Sequence, residues 1–503
     1  MNKLKRTLAL MAALAMATTA FVSCGDNSSS SSSSSSSTSE SSDESSDESS
    51  EESSDESSEE SSESSQVSSG TKSTEVGAVD SSLGTGGAKL TIGAWNADDA
   101  PYLIAQWKGL DYEDTKTKLA DNGIEGVEFV NYGCGGGEVS EKYDQRFTAG
   151  EDFDIYFAEA DWALKYINDD TKSLPLEKLG FTDDNFAELY AFTDTIGMDS
   201  NGVRKAVSWQ APGGGFAYRA DLAEEYLGVK SPDEMQALIS DWDGFVSAAE
   251  TVSEKSSGKT AFADTLGGLW QAYACGRTQP WVVDNKLVID DFCEEFANTA
   301  KALWDCGGIT GNGQWTDEWT AAGVNDTCMG YFVCTWALGG FFLDAAGGEN
   351  GANYGKWSVC AGPQAFNWGG TWLLVNPATD NAEEAQSFIK SATVDNDQMS
   401  AYAVAKPEYV NNTTVMDELI SANTVFNETV TGNFVDNQNV YAVLQENAEK
   451  VDFSGLITEY DATVKTDFVN AVKENYLEGG ASWEDTQEAF KDLVAEHITS
   501  LEW

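Results

Sequence analysis

The stretch "IEGVEFVNYGCGGGEVSEKYDQRFTAGEDFDIYFAEAD" at residues 124–161 decides the fold class. Its two ends are apolar and rich in β-branched and aromatic residues, whereas its middle has the spacing of an amphipathic helix. "KLTIGAW" at residues 89–95 adds an earlier strand, and a helical pattern follows it after Pro101. Strands that alternate with helices at this spacing predict parallel βαβ units with both faces of the sheet covered, which is an α/β fold.

Several kinds of chemistry find no support in the sequence. The loop "GCGGG" at residues 133–137 lacks the Lys-Ser/Thr of a phosphate loop and follows no dinucleotide fingerprint, so we interpret it as a strand–helix turn. His497 is the only histidine, and its helical surroundings predict a place on a helix surface near the C-terminus. The cysteines after Cys24 include no CxxC pair, which favours scattered thiols over a zinc site or a disulfide scaffold. We therefore predict neither a cofactor nor a metal.

The N-terminal region predicts export. Basic residues precede an apolar run over residues 8–22, which is too short for a comfortable membrane span. "VSCG" at residues 22–25 resembles the lipobox of bacterial lipoproteins, and this resemblance implies cleavage before Cys24 and a lipid on its sulfur. We predict a signal peptide over residues 1–23 and a lipid-anchored, disordered Ser/acidic linker over residues 24–87. An ordinary secretory signal with an incidental cysteine is the alternative.

The charge of the chain limits its partners. The formal net charge is −55, and the segment from Glu40 to Glu63 contributes 12 acidic groups, so most of the excess lies in the folded part. Such a surface repels nucleic acid and anionic lipid headgroups, which argues against both as partners. The predicted contact with the membrane is therefore through Cys24 only. A neutral or cationic small molecule fits this charge better than an anion.

A longer series of motifs extends over the rest of the chain. In order they are "LTIGAW" (90–95), "EKYDQRFTAGEDFDIYFAEADWALKYI" (141–167), "VSWQAPGGGFAYRADLAEEYLG" (207–228), "CMGYFVCTWALGG" (328–340), "FNWGGTWLLVNPATDNAEEAQSFIKSA" (366–392), "DNQNVYAVLQENAEKV" (436–451) and "TEYDATVKTDFVNAVKENYLEG" (458–479). Together they resemble the extracellular solute-binding proteins of ABC importers, family 1, the oligosaccharide-binding group. The resemblance implies a two-lobed, periplasmic-binding-protein-like (type II) α/β fold with an interlobe cleft and hinge strands.

The same resemblance implies an organisation of the chain. We expect the first lobe over residues 88–207 and the first part of the second lobe over residues 208–370. Residues 371–410 would return to the first lobe, and residues 411–503 would form the C-terminal helices of the second.

The resemblance also implies a function. We expect a monomeric, non-enzymatic lipoprotein on the extracellular face of the cytoplasmic membrane, in a Gram-positive bacterium. It would capture a plant-derived oligosaccharide, such as a cello-, xylo- or mannooligosaccharide, by cleft closure and deliver it to the transmembrane permease subunits of an ABC transporter. Two alternatives stay open: a lipid-anchored glycoside hydrolase, which needs two suitably spaced carboxylates, and the same fold binding a peptide, a polyamine, a metal or another cationic solute.

Candidate ligand-binding residues follow from the chemistry of sugars. Aromatic rings stack on their C–H faces, and carboxylates or amides bond the hydroxyl groups. Tryptophans at strand ends or beside glycines are the predicted platforms: Trp95, Trp162, Trp209, Trp336, Trp368 and Trp372, with Trp270, Trp281 and Trp315 as weaker candidates. The predicted polar contacts are Asp98, Asp99, Glu159, Asp161, Gln438 and Tyr460, with Asn437 and Asp461 beside them. Tryptophans within helical periods are assigned to the core: Trp107, Trp242, Trp304 and Trp483.

Overall fold

A computed structural model describes residues 72–95, 99–121, 123–151, 153–406, 408–426, 428–452 and 454–502. The predicted signal peptide, Cys24, the linker up to residue 71 and the candidate Asp98 lie outside the described residues. Within these ranges no helix combines the length and the apolar character that a membrane crossing requires.

The described chain alternates short strands with helices. The strands are β1 Leu90–Ala94, β2 Val127–Asn131, β3 Ile155–Glu159, β4 Ala206–Ser208, β5 Gly214–Arg219, β6 Val282–Val283, β7 Lys286–Leu287, β8 Gly330–Cys334, β9 Trp357–Cys360 and β10 Thr371–Val375. The helices of the first half are α1 Asp99–Lys108, α2 Tyr112–Ala120, α3 Gly136–Ala149, α4 Ala163–Ile167, α5 Ala191–Gly197, α6 Ala220–Leu227, α7 Pro232–Leu238, α8 Trp242–Ser256 and α9 Leu266–Ala274. Those of the second half are α10 Asp291–Asp305, α11 Asp317–Val324, α12 Thr335–Leu338, α13 Phe341–Ala345, α14 Ala382–Thr393, α15 Asn396–Ala405, α16 Thr413–Ser421, α17 Glu428–Thr431, α18 Val440–Ala448, α19 Asp461–Ala471 and α20 Trp483–His497.

The first lobe is built on a five-stranded sheet with the order β2-β1-β3-β10-β4. β1 pairs in parallel with β2 and β3, which confirms the βαβ prediction, whereas β10 runs antiparallel to β3 and β4. Side chains alternate between the two faces of the sheet, as a strand requires. In β10, Leu373 faces one hydrophobic core, while Trp372 and Leu374 face the core beneath α3 and α4. Both faces are therefore covered.

The second lobe is built on a smaller antiparallel sheet with the order β8-β5-β9. Its core collects aromatic side chains from distant segments, such as Phe216 of β5, Phe245 of α8 and Phe332 of β8. α9, α10, α19 and α20 pack into the same core. The helices predicted from the C-terminal motifs are thus present, and Val472–Glu478 continues α19 as a π-helical turn.

Three chain segments cross side by side between the two sheets. The first, residues 209–213, is bonded on one side to residues 409–411 and on the other to residues 366–368. The buried Glu408 ties this hinge together, since Gln210 Nε2 donates to its Oε2 at 3.0 Å and Thr335 Oγ1 donates to its Oε1 at 2.6 Å. Burial raises the pKa of the Glu408 carboxyl. Backbone and side-chain bonds thus hold the crossing segments as one hinge.

Residues 72–87, which the sequence assigned to the disordered linker, pack on the first lobe, and this corrects the linker prediction for these residues. This segment, called the strap below, runs along the first lobe with Gly77 N bonded to Gly180 O at 2.8 Å and Gly87 N to Asp380 O at 2.8 Å. At its start the Lys72 ammonium pairs with Glu188 at 3.3 Å. The backbones come so close that a Cβ on Gly180, whose φ is +82°, would lie 2.3 Å from Gly77 O. The apolar side chains of the strap, Val76, Val79 and Leu83, pack on the first core, a sparse pattern that composition alone concealed.

Candidate functional site between the lobes

A cavity of about 90 Å³ opens between the two lobes. The first lobe contributes the turn after β3 and one residue of α5, and the crossing segment contributes Asn367 and Gly369. The second lobe contributes the end of α9, the residues that follow it, and α19. Since ligands of α/β folds bind at the carboxyl ends of strands, the place of the cavity beyond β3 makes it the candidate functional site.

The first-lobe wall carries two carboxyl groups at the end of β3. Asp161 N donates to Glu159 Oε2 at 3.0 Å, so the backbone of the turn positions the Glu159 carboxyl group. Gly369 lies against them: a Cβ atom there would be 3.3 Å from Glu159 Oε1 and 3.7 Å from Trp336 Nε1. A side chain at this position would fill the space between the carboxyl group and the indole.

The second-lobe wall carries two cations and a third carboxylate. Lys465 of α19 forms an ion pair across the cleft with Asp161. Arg277, just after α9, pairs with Asp461 at 3.3 Å and donates to Leu456 O at 3.1 Å. Asp461 and Lys465 lie four residues apart, which places both on one face of α19.

Burial changes the protonation of these groups. It raises the pKa of Glu159 to about 8, and the charge of Asp161 adds to the rise while Lys465 opposes it. Burial also raises the pKa of Asp461, against the effect of Arg277. For Lys465 burial lowers the pKa, but the nearby Asp161 and Glu159 outweigh it and the net shift is upward. At neutral pH the cleft thus holds a protonated Glu159 beside the salt bridge between Asp161 and Lys465.

Two further polar side chains face the cavity without a partner. Trp270 is 3% exposed and lines the cavity, and within the described chain no group accepts a hydrogen bond from its indole N–H. The Gln271 side-chain amide, also on the cavity wall, has no hydrogen-bond partner in the described ranges either. Both side chains are therefore available to a ligand or solvent that supplies an acceptor for the indole and partners for the amide.

An aromatic patch adjoins this cavity. Trp315 lies at its centre, with ring centroids 5.6 Å from Trp336, 5.2 Å from Trp368 and 4.7 Å from Phe341. The Trp336 indole donates to Trp368 O at 2.8 Å, and both Trp315 and Trp336 are partly exposed. Trp315 has a φ of +64°, a conformation that is costly for a bulky residue and often marks functional sites.

The structure brings several predicted residues together. Trp95 at the end of β1 contacts Trp162 edge-to-face at 6.4 Å, because the carboxyl ends of parallel strands share one edge of the sheet. Asp161 and Trp270 line the cavity, and Glu159 lies beside it against Gly369. Trp336 and Trp368 lie in the adjoining patch. Asp461 lines the cavity as well.

Three predicted platforms are enclosed, which corrects their assignment as surfaces for stacking in this structure. Trp162, Trp209 and Trp372 are at most 5% exposed and pack within the first-lobe cores. They occur at or near strand ends, but the following helices and the crossing segments cover them. The tryptophans assigned to the core lie half-buried on helix faces and pack against the two larger cores: Trp107, Trp242, Trp304 and Trp483. The weaker candidate Trp281 is also buried in the second core.

The remaining polar candidates have structural partners away from the cavity. Asp99 forms an ion pair with Lys406. The Gln438 amide bonds both the N–H and the C=O of Val359 in β9, at 2.9 and 2.8 Å, and so replaces a strand partner. Tyr460 packs on the second core at the start of α19. Asn437, next to Gln438, has a φ of +50° in a turn.

Sequence reasoning missed the basic residues and amides of the cleft: Arg277, Lys465, Gln271 and Asn367. One signal was available, because "TEYDATVK" places Lys465 one helical turn after Asp461. Basic residues are scarce here, with 29 Lys and Arg against 84 Asp and Glu, which makes a lysine beside a candidate carboxylate informative.

The fold class can be read from similar solved structures. A crystal structure of an extracellular solute-binding protein of family 1 matches with a TM-score of 0.68 at 18% identity, over 82% of this chain and 100% of that one. The sugar-binding protein MalE of Xanthomonas citri matches with a TM-score of 0.62 at 13% identity, over 82% and 100%. The GacH receptor of Streptomyces glaucescens matches with a TM-score of 0.59 at 15% identity, over 82% and 99%. The two-lobed, periplasmic-binding-protein-like α/β fold is thereby confirmed.

The family follows from the sequence itself. A model of the bacterial extracellular solute-binding proteins matches residues 115–426, well over half of the chain. The chain therefore belongs to that family, as the series of motifs predicted. No curated protein matches it.

Proposed function

We propose that this protein is the sugar-capturing subunit of an ABC importer. It binds an oligosaccharide in the interlobe cleft, closes around it and delivers it to the transmembrane permease without chemical change. The observation that carries the proposal is the polar cavity between the lobes, where Asp161 of one wall meets Lys465 of the other. Sugar-binding relatives support it: the GacH structures include complexes with acarbose, and the Xanthomonas MalE is described as a sugar-binding protein.

The chemistry of the cavity suits a polyhydroxylated ligand. Sugar hydroxyls both donate and accept, and the walls offer carboxylates, an ammonium group, a guanidinium group and the unpartnered groups of Trp270 and Gln271. The aromatic patch around Trp336 lies next to Glu159 and offers rings for stacking on a sugar face. A ligand that extends over Gly369 would contact both regions.

Closure of the cleft is the proposed mechanism. The cavity of about 90 Å³ holds only about six to nine water molecules at ~10–15 Å³ each, so an oligosaccharide enters through an opened cleft. The three crossing segments provide the hinge. A sugar stabilises the closed form only as far as it contacts both walls, and groups such as Asp161 and Lys465 supply those contacts.

The anchoring part of the proposal concerns residues 1–71. A lipid on Cys24 would hold the protein at the extracellular face of the membrane, beside its permease, and the strap would join the linker to the first lobe. Metabolic labelling of the wild type and Cys24→Ser with a radioactive fatty acid tests this: we expect label on the wild type alone. Equal label on both would contradict attachment at Cys24.

Isothermal titration of the secreted Cys24→Ser protein with cello-, xylo- and mannooligosaccharides tests the main proposal. We expect one-to-one binding of at least one sugar, with the recovered sugar unshortened. Asp161→Asn should weaken that binding at least tenfold, whereas Asp305→Asn, which removes an exposed helix-end carboxylate, should not. Recovery of shortened sugar would establish the glycoside hydrolase alternative instead. Binding of peptides or polyamines, with no binding of sugars, would establish that the same fold binds a cationic solute.

A further inference from the structure

The charges of the cleft indicate a narrower class of ligand than oligosaccharides in general. This inference rests on the proposed function. We propose that the bound sugar carries a protonated amine, and that its ammonium group lies against the carboxyl groups of Glu159 and Asp161. The ligand would thus be an amino sugar or an oligosaccharide that contains one.

The geometry of the first-lobe wall carries this proposal. Glu159 and Asp161 project from one strand end and are joined by the Asp161 N–Glu159 Oε2 hydrogen bond of 3.0 Å. Lys465 is the cation that faces them, and its ammonium group pairs with Asp161. Glu159 is therefore left beside the cavity without a cation of its own in the described chain.

The charged groups around Glu159 indicate which charge a ligand would need to carry. Asp161 and Lys465 face it directly, and Asp461 and Arg277 stand behind Lys465 in a pair of 3.3 Å. The Cys275 thiol on the same wall stays neutral, because burial raises its pKa to about 12. Three carboxyl groups thus face two cations. When Glu159 is ionised, a ligand ammonium would balance the third carboxylate, whereas an acidic sugar would keep Glu159 protonated and add a negative charge that neither cation is free to compensate.

Two further features of the wall suit a ligand of this kind. The Trp270 indole N–H and the Gln271 amide line the cavity and have no partner in the described part of the chain. Trp336 stands across Gly369 from Glu159, so an aromatic ring is available next to the carboxyl group. Aromatic faces attract ammonium groups, and this adds to the charge preference.

The protonation of Glu159 gives the proposal a distinctive signature. Burial and the Asp161 charge raise the Glu159 pKa to about 8, so below that pH the carboxyl group binds a proton. An ammonium group beside it favours the ionised form, and binding should release that proton. A neutral sugar does not favour the ionised form of Glu159 and should bind without releasing a proton.

Three β-1,4-linked disaccharides that differ only at carbon 2 test the proposal: the di-glucosamine with amines, its N-acetylated form and cellobiose with hydroxyls. The full chain with Cys24→Ser is titrated at about pH 6.5, where the amine is charged, in two buffers of different ionisation enthalpy. We expect the amine form to bind at least tenfold more tightly than the other two. We also expect it to release between about half a proton and one proton, with no release for cellobiose.

Variants assign the effect to its residue. In Glu159→Gln the ratio of amine to hydroxyl affinity should fall to about one and proton release should vanish. Glu250→Gln removes an exposed carboxyl group from α8 and should keep both the affinity ratio and the proton release of the parent protein. If Glu159→Gln does not fold, the number of protons that the parent protein releases, measured in the two buffers, still tests the proposal.

The outcomes separate the two proposals. Cellobiose or another neutral sugar binding as tightly as the amine form, or amine binding without proton release, would overturn this inference and leave the proposed function intact. Failure of every sugar, charged or neutral, to bind would overturn the proposed function itself. An unchanged amine preference in Glu159→Gln would also overturn the inference.

Discussion

The two walls of the cleft are encoded in different ways. The first-lobe wall comes from consecutive residues at the end of β3, where Glu159 and Asp161 follow directly from the strand. The second-lobe wall joins residues 270–277 to residues 456–465, which are almost two hundred positions apart in the sequence. A local motif therefore identifies the first wall, while only the packing of α9 against α19 creates the second.

The walls also differ in their support. The first rests on a sheet with enclosed indoles behind it, and Trp372 donates to Thr193 O at 3.1 Å with no exposed surface. The second presents charged side chains from α19 and from the segment after α9. We expect substitutions behind the first wall to act on stability and those on the second wall to act on binding.

The largest expected effect is on stability, from Trp372→Ala. The change leaves a cavity in a closed core and breaks the bond to Thr193, so the free energy of unfolding should fall by about 3–5 kcal/mol. Chemical denaturation measures it, with Trp304→Ala on the half-buried face of α10 as a much milder control. A loss below about 1 kcal/mol would show that the first wall does not depend on this indole.

The next effect is on binding, from Lys465→Met. Methionine keeps the packed stem but removes the ammonium group that reaches Asp161, so the affinity for a neutral sugar should fall about tenfold or more. Calorimetry measures it, and Lys450→Met, at an exposed lysine that pairs with Glu446, serves as the control. Unchanged affinity would place the ligand away from the second wall.

The Trp336→Ala change tests the role of the aromatic patch in binding. We expect at least about a tenfold loss of sugar affinity, from a lost stacking face, with a nearly unchanged melting temperature. The ring is partly exposed, yet it donates to Trp368 O at 2.8 Å. A collapse of the melting temperature would assign Trp336 to the supporting core rather than to the binding surface.

The smallest effect is a pH dependence of the first wall. The Glu159 pKa is raised in the folded protein from 4.5 to about 8, so folding favours the protonated acid. The stability that this proton provides is complete below about pH 4.5 and is lost as the pH rises through about 8. Between pH 7 and 8 the unfolding free energy of the parent should fall relative to Glu159→Gln by on the order of 1 kcal/mol. Parallel curves of unfolding free energy against pH for the parent and for Glu159→Gln would mean that Glu159 is ionised over the whole range measured.

These differences explain what the sequence could predict. Strand and helix periods are local, and they correctly predicted β1, β2, β3 and the parallel pairing of the first lobe. The order of motifs predicted the family. Neither the periods nor the order of motifs shows which side of an indole another segment covers. The sequence therefore assigns Trp209 and Trp372, both near hinge crossings, to the cleft, although tertiary packing encloses them.

The polar part of the site shows the same limit. Glu159 and Asp161 were predicted because a strand end in an α/β fold points to its ligand edge. Arg277 was not, because its role depends on Asp461 of a helix from the far end of the chain. Gln438 was assigned to the ligand although its amide bonds the backbone of β9, since a polar residue in a motif does not reveal its partner.

The strap along the first lobe also has a mechanical consequence. A force on the chain before residue 72 passes first into the Lys72–Glu188 pair and then into backbone hydrogen bonds of the first lobe, such as Gly77 to Gly180. The strap then leads directly into β1 of the five-stranded sheet, while Glu188 also accepts hydrogen bonds from Asn412 and Thr414, next to the crossing segment of residues 409–411. A tether that pulls on the N-terminus therefore loads the first lobe first, and it reaches the hinge through the bonds of Glu188.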